Sequence, residues 1–274
     1  MPFADIDGTS IYYEEHGQGD PLLCVMGLGA NHVAWALQLE AFSAGHRAIV
    51  FDNRDVGQSS RAEGPYELAD MAADTLGLAD HLGLDSFHLL GVSMGGAISQ
   101  HVALAAPERI RTLTLAVTWA GGQQGYAREK ARLWSGEAAL RSREDWLDSL
   151  LFATVSEDFY ENAAMADFVK QVMRDDPHPQ EPEAFARQLH ASSAHDLRGK
   201  LEGLSALPVH VISGEHDVLL PPWKQVELAA EIPGARLTVI PRGSHALNLE
   251  RPQELAEAVL GFIAVNADTA VTAD

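Results

Sequence analysis

The stretch Gly91-Val92-Ser93-Met94-Gly95-Gly96 constrains this chain more than any other. It follows a strand-like run over residues 86–90 and opens a helix-like run over residues 97–106. A Gly-x-Ser-x-Gly sequence at such a junction is a turn so tight that the serine takes strained backbone angles and projects its hydroxyl from the sheet. The glycines two before and two after the serine omit a Cβ that would collide with the neighbouring strand or helix. A glycine-rich turn with a capping serine, as in a phosphate-binding loop, fits the same six residues. What the turn does is therefore decided by what the rest of the chain brings to Ser93.

The flanking pattern is that of an α/β protein. Residues 3–7 and 10–15 flank Gly8-Thr9 and read as an antiparallel hairpin. The apolar run 21–26 reads as a strand buried on both faces, and Gly27-Leu28-Gly29-Ala30-Asn31 breaks it. Trp35, Leu39 and Phe42 then fall at helical spacing, residues 47–51 form the next strand, and a polar loop runs from Asp52 to Ser59. Leu68, Met71, Ala72, Thr75, Ala79 and Leu82 trace one face of a helix ending at Gly83. Residues 110–118 supply a further strand. This alternation predicts a mostly parallel sheet, covered by helices on both faces.

The rhythm stops at Gly121. From there to Lys200 the chain reads as helices and loops, with a helical stripe from Phe159 to Met173 and a proline-rich loop at 176–182. Strands return at 208–213 and 236–241, with a helix at 222–230 and the apolar face of a last one at Leu255, Val259, Phe262 and Ile263. Residues 268–274 read as a frayed end. The expected organisation is thus a core made of 1–120 and 201–274, with 121–200 inserted as a helical cap, or lid.

Composition limits the partners. With 19 basic and 39 acidic residues among 274, the formal charge is −20, which works against nucleic acid and anionic membrane surfaces. Anionic small molecules are disfavoured at long range, but Arg54, Arg61 or Arg242 could dominate locally. No run approaches about 18 consecutive apolar residues, so no membrane span is expected. Residues 1–20 include Asp5, Asp7, Glu14 and Glu15 and lack the pattern of a secretory signal, which makes the cytoplasm the default location. The single cysteine, Cys24, lies in an apolar run and reads as a core residue. No Cys/His cluster has zinc-ligand spacing, and neither metal nor organic cofactor is expected.

A serine hydroxyl is a poor nucleophile near neutrality and needs a base, itself oriented by an acid. The strand at 208–213 leads into Gly214-Glu215-His216-Asp217, and that at 236–241 into Arg242-Gly243-Ser244-His245. Both loops lie beyond the carboxyl ends of parallel strands, where open α/β sheets carry their sites. Asp217 is the expected acid, with Glu215 as rival, and His245 the expected base among 12 histidines. His190 and His195 lie in the insertion, where they could touch a substrate. A tetrahedral intermediate needs two backbone N–H donors, one from Met94 and the other from the loop at Leu28.

With these residues in place, the chain resembles the α/β-hydrolase superfamily from Ile11 to about Ile263. The resemblance rests on the tight turn, or elbow, Gly91-Val92-Ser93-Met94-Gly95-Gly96, on Gly214-Glu215-His216-Asp217, on Gly243-Ser244-His245 and on the loop from Asp52 to Ser59. Many members have His-Gly after the third strand where this chain has Met26-Gly27. With Asp55 standing where glycine is commoner, that makes it look more like the aclacinomycin methylesterase-like branch than the haloperoxidases. Around the elbow it is also similar to the enol-lactonases. The resemblance implies an eight-stranded, mostly parallel sheet with a helical cap, and hydrolysis of a carboxylic ester or lactone through an acyl-enzyme. Perhydrolase or haloperoxidase chemistry, or a triad-retaining small-molecule receptor, are the alternatives, and the oligomeric state is open. Trp119, at the strand end leading into the insertion, is a candidate substrate contact; Trp134, Trp146 and Phe152 suggest an apolar pocket beneath the cap.

Overall fold

A computed structural model describes residues 2–122 and 124–267; the expected frayed end, 268–274, lies outside them. Eight strands form one sheet: β1 (Phe3–Ile6), β2 (Thr9–His16), β3 (Asp20–Val25), β4 (His46–Phe51), β5 (Phe87–Val92), β6 (Ile110–Ala116), β7 (Val209–Gly214) and β8 (Arg236–Ile240). Their spatial order is β1-β2-β4-β3-β5-β6-β7-β8. β1 and β2 pair antiparallel, as do β2 and β4, and every later pairing is parallel. The hairpin turn is Asp7-Gly8, one residue earlier than the sequence pattern indicates. Both residues have positive φ, 50° and 84°, the geometry whose twist suits a two-residue hairpin.

The helices are α1 (Leu39–Ser43), α2 (Leu68–His81), α3 (Met94–Ala105), α4 (Gln124–Leu140), α5 (Arg143–Thr154), α6 (Glu157–Glu161), α7 (Ala163–Arg174), α8 (Pro182–Ala194), α9 (Pro222–Glu231), α10 (Leu247–Glu250) and α11 (Pro252–Ala267). Alternation along the strands feeds two cores. Leu23 and Val25 of β3 pack with Met71 of α2 and Ile98 of α3, whereas Leu22 and Cys24 pack with Phe42 of α1 and Val259 of α11. Cys24 is fully buried, as its apolar setting suggests, and that burial pushes its thiol pKa up.

Two expected helices are broken. Between β3 and β4 the chain makes a 3-10 turn, His32–Trp35, before α1; the Asn31 side chain starts that turn by accepting the Val33 N–H at 3.0 Å. The stripe from Phe159 to Met173 is divided into α6 and α7 at Asn162, whose side chain caps α7 by accepting the Met165 N–H. The Asn162 cap outweighs a continuous apolar stripe because it satisfies a donor that a helix start leaves open.

Helices α4 to α8 fill the chain between β6 and β7, with no strand there among the described residues. α4 packs along α8 through Ala131, Ala138, Phe185 and Leu189, with Trp134 and Trp146 against that cluster. Leu151, Val155 and Phe159 make a second cluster that reaches Ala246 and Leu249, next to His245. No described helix is long and apolar enough to cross a membrane.

Candidate active site

The sequence folds locally so that the loops after β3, β7 and β8 meet the tight turn after β5 at the carboxyl ends of these strands. Ser93 leaves β5 at φ 55° and ψ −121°. It is held there from both sides: its N–H donates to the Ala116 carbonyl at 2.9 Å, and its carbonyl accepts the Thr118 hydroxyl at 2.7 Å. A Cβ on Gly91 would strike the Gly95 carbonyl and the Ser99 hydroxyl, and one on Gly95 would strike the Val25 carbonyl. Both glycines are therefore required by the close approach of α3 to β5 and β3.

After β7, the Asp217 N–H donates to the Gly214 carbonyl at 3.2 Å. One carboxylate oxygen, Oδ1, accepts the Leu219 and Leu220 N–H groups at 2.9 and 2.8 Å. The other, Oδ2, lies 2.8 Å from Nδ1 of His245, whose Nε2 is 2.9 Å from the Ser93 hydroxyl oxygen. Asp217 is 2% exposed and His245 7%. The rival Glu215 is exposed and instead accepts the Arg242 N–H at 2.8 Å. The two loops are brought together where β7 ends, since the His216 N–H donates to the Gly243 carbonyl at 2.7 Å.

This chain of three has a defined chemical capacity. With the Nδ1 proton donated to Asp217, Nε2 is left to accept the Ser93 hydroxyl proton, and the imidazolium so formed faces a buried carboxylate. Such a site can turn a neutral hydroxyl into a nucleophile without any other group.

The loop after β3 lies against Ser93: a Cβ on Gly27 would sit 3.1 Å from the Ser93 Cβ. Among the described residues, no hydrogen-bond acceptor is found for the N–H groups of Leu28 and Met94. The next N–H, that of Gly29, donates to Oε1 of Gln188 on α8 at 3.1 Å, and Gln188 in turn donates to the Arg54 carbonyl at 2.8 Å. Asp55, at φ 72° and fully buried, accepts hydrogen bonds from Nε and Nη2 of Arg187 at 2.8 and 2.7 Å. Sequence reasoning singled out neither Gln188 nor Arg187. Asp55 at a position where glycine is commoner was the one signal that pointed to such a partner.

The remaining candidates fall outside this chain of hydrogen bonds. Trp119 follows β6, half-buried, with its ring edge-on to His195 at 5.5 Å between centroids. His195 is buried between Trp119 and His101, and burial first, then His101, pushes its pKa down to about 4. His190 is exposed and bonds the Ala186 carbonyl. No group of three or more His, Cys, Asp or Glu among the described residues is arranged to hold a metal.

Comparison with known proteins fits this geometry. The model of the α/β-hydrolase fold family matches residues 20–252. The chain belongs to that family. An α/β-hydrolase relative named as a carbamate hydrolase, from Azorhizobium caulinodans, is 32% identical over 269 residues, 96% of this chain and 98% of the relative. A Mycobacterium tuberculosis relative named as a non-heme bromoperoxidase is 30% identical over 264 residues, 93% and 98% of the two chains. The crystal structure of the enol-lactonase from Burkholderia xenovorans is similar at a TM-score of 0.87 and 29% identity, covering 96% of this chain and all of the other. Hydrolysis is the class of activity that this family and these relatives support, and the enol-lactonase-like branch is represented among the similar structures.

Proposed function

We propose that this α/β-hydrolase is a serine hydrolase that cleaves a carboxylic ester or lactone, with residues 121–200 forming a cap over the site. The single observation carrying this reading is the hydrogen-bonded chain from Asp217 through His245 to Ser93, at 2.8 and 2.9 Å, with the serine on a strained elbow.

In the first half-reaction, His245 Nε2 takes the Ser93 proton as the hydroxyl oxygen attacks the substrate carbonyl carbon. The Leu28 and Met94 N–H groups hold the oxyanion, and Asp217 orients and stabilises the imidazolium. Collapse breaks the bond to the leaving oxygen, which takes the proton from His245 and leaves the acyl group on Ser93. In the second half, water gives a proton to His245 as it attacks the acyl carbon. The second collapse returns that proton to Ser93 and releases the acid. A lactone differs only in that its leaving alcohol stays attached to the acyl chain. The relative named as a bromoperoxidase motivates a second reading, in which hydrogen peroxide replaces water at the acyl-enzyme.

A panel of methyl esters, aryl esters and lactones, run with and without hydrogen peroxide, tests the proposal. Ser93→Ala is expected to abolish turnover while the circular dichroism and melting temperature stay close to the parent's. Undiminished hydrolysis by that variant would refute the reading, and product formed only with peroxide would favour the second one.

A further inference from the structure

The strongly acidic chain holds a cation that no carboxylate neutralises, beside the site just described. The three arginines able on sequence grounds to receive an anion are engaged. Arg54 bonds Asp74 through Nε and Nη2, at 2.6 and 2.7 Å. Arg61 donates to the Ser59 and Gly57 carbonyls, and Arg242 to Asp158. Lys130, on α4, differs: among the described residues no ion pair or hydrogen bond to its ammonium is found within ordinary bonding distance. It is half-buried, with its nitrogen 4.6 Å from the centroid of the Trp134 ring.

Its place bears on the substrate. Trp134 and Leu28 pack against the same cluster of Ala131, Phe185 and Leu189, so this turn of α4 lies beside the loop that supplies the proposed oxyanion donor. The ammonium is also close enough to Asp217 to be attracted by its carboxylate. That carboxylate is committed to His245, Leu219 and Leu220 and makes no contact with the lysine. Burial opposes the charge and outweighs the attraction, which brings the amine down to about 8. A desolvated ammonium held only by a ring face is short of hydrogen-bond acceptors. An anion carried in by a ligand would supply them.

The geometry points to Lys130 as the binding group for a carboxylate on the substrate, so that the esters or lactones taken by this site are monoanions with the carboxylate remote from the scissile carbonyl. This rests on the ester or lactone reading above. It also reconciles the overall charge of −20 with an anionic substrate. Long-range repulsion is screened within about 8 Å at physiological salt, whereas a half-buried ion pair is screened far less. The Trp134 face limits where the ammonium can sit and so lowers the entropy lost on pairing.

The test measures binding separately from turnover. Calorimetry compares Ser93→Ala with Ser93→Ala/Lys130→Met protein, using monomethyl glutarate, which keeps one carboxylate, and dimethyl glutarate, which has none. The expected result is that Lys130→Met weakens monomethyl glutarate binding by roughly ten- to hundredfold and dimethyl glutarate binding by less than about threefold. Lys130→Arg, which keeps the charge, should recover part of the loss. An equal loss for both esters would make the lysine a packing residue. Equal binding of the monoester by the two proteins, or no binding of it to either at about 10 mM, would also overturn the assignment. The parent reading fails separately, through turnover that survives Ser93→Ala.

Discussion

Ser93 carries a backbone conformation that costs a non-glycine residue roughly 1–3 kcal/mol, and the hydrogen bonds from Thr118 and to Ala116 hold it in place. What the strain secures is a hydroxyl aimed at His245. The acid behind that imidazole gives a sharp prediction at this scale. Asp217→Asn should lower kcat by roughly 10³–10⁴-fold, because an amide cannot hold the required tautomer or stabilise the imidazolium, while Glu215→Gln should leave kcat within about threefold. Steady-state kinetics on any accepted ester checks both, and a larger loss from Glu215→Gln would reverse the assignment. Loop position in the sequence favours Asp217 but leaves Glu215, two positions earlier in the same loop, as a rival. The separation comes from Arg242, whose N–H occupies Glu215, and from the Leu219 and Leu220 N–H groups, which aim one Asp217 oxygen away and leave the other for His245.

The inserted helices do more than cover the sheet, since they bond to the loops after β3, β4 and β8. Gln188 on α8 holds Gly29, the residue after Leu28. Arg187 holds Asp55, and the Thr154 carbonyl accepts the N–H of Ala246, next to His245. Gln188 is fully buried, so Gln188→Leu should release the Leu28–Gly29 peptide and cut kcat by about tenfold with a smaller change in KM. Gln188→Glu, which keeps the acceptor, should restore part of the loss; equal effects on kcat and KM in both variants would argue for simple packing. Arg187→Met would leave Asp55 buried and unpaired. It should lower the unfolding free energy by about 2–3 kcal/mol, less than the ~3–5 of a wholly buried pair because the Arg187 side chain is 24% exposed. Chemical denaturation measures this, and an unchanged midpoint would contradict it. The alternation of strands and helices, and its lapse after Gly121, were legible from periodicity alone. These ties were not, because Asp55 and Arg187 stand 132 positions apart and neither belongs to a periodic pattern. The break at Asn162 was missed because one side-chain cap overrides an apolar stripe that continues through it.

At the scale of the whole molecule, stability should depend on pH through histidines buried in neutral form. Burial, and to a lesser degree neighbouring cationic or imidazole groups, lowers His88, His195 and His210 to about 4 each. In the unfolded chain the same rings titrate near 6.5. Between these values the unfolded state binds more protons, so stability is present above about pH 6.5 and is lost as pH falls toward 4, by about 2 kcal/mol per ring at pH 5. His32 acts in the opposite sense: burial is the largest single effect and lowers its pKa, but the hydrogen bond to Asp52 together with the attraction of Asp52, Glu14 and Asp176 outweighs it and raises the pKa overall, so its contribution is lost as pH rises. Melting temperatures between pH 7.5 and 5 check the balance, and a flat profile would contradict it.

In the proposed mechanism, the hydroxyl oxygen of Ser93 is the atom that becomes acylated. The most direct measurement is rapid quenching of the enzyme with an activated aryl ester, followed by peptide mass spectrometry of the trapped protein. The account predicts a single acyl adduct on the peptide containing Ser93, absent in Ser93→Ala. An adduct on another residue, or turnover in Ser93→Ala at the parent rate, would contradict it.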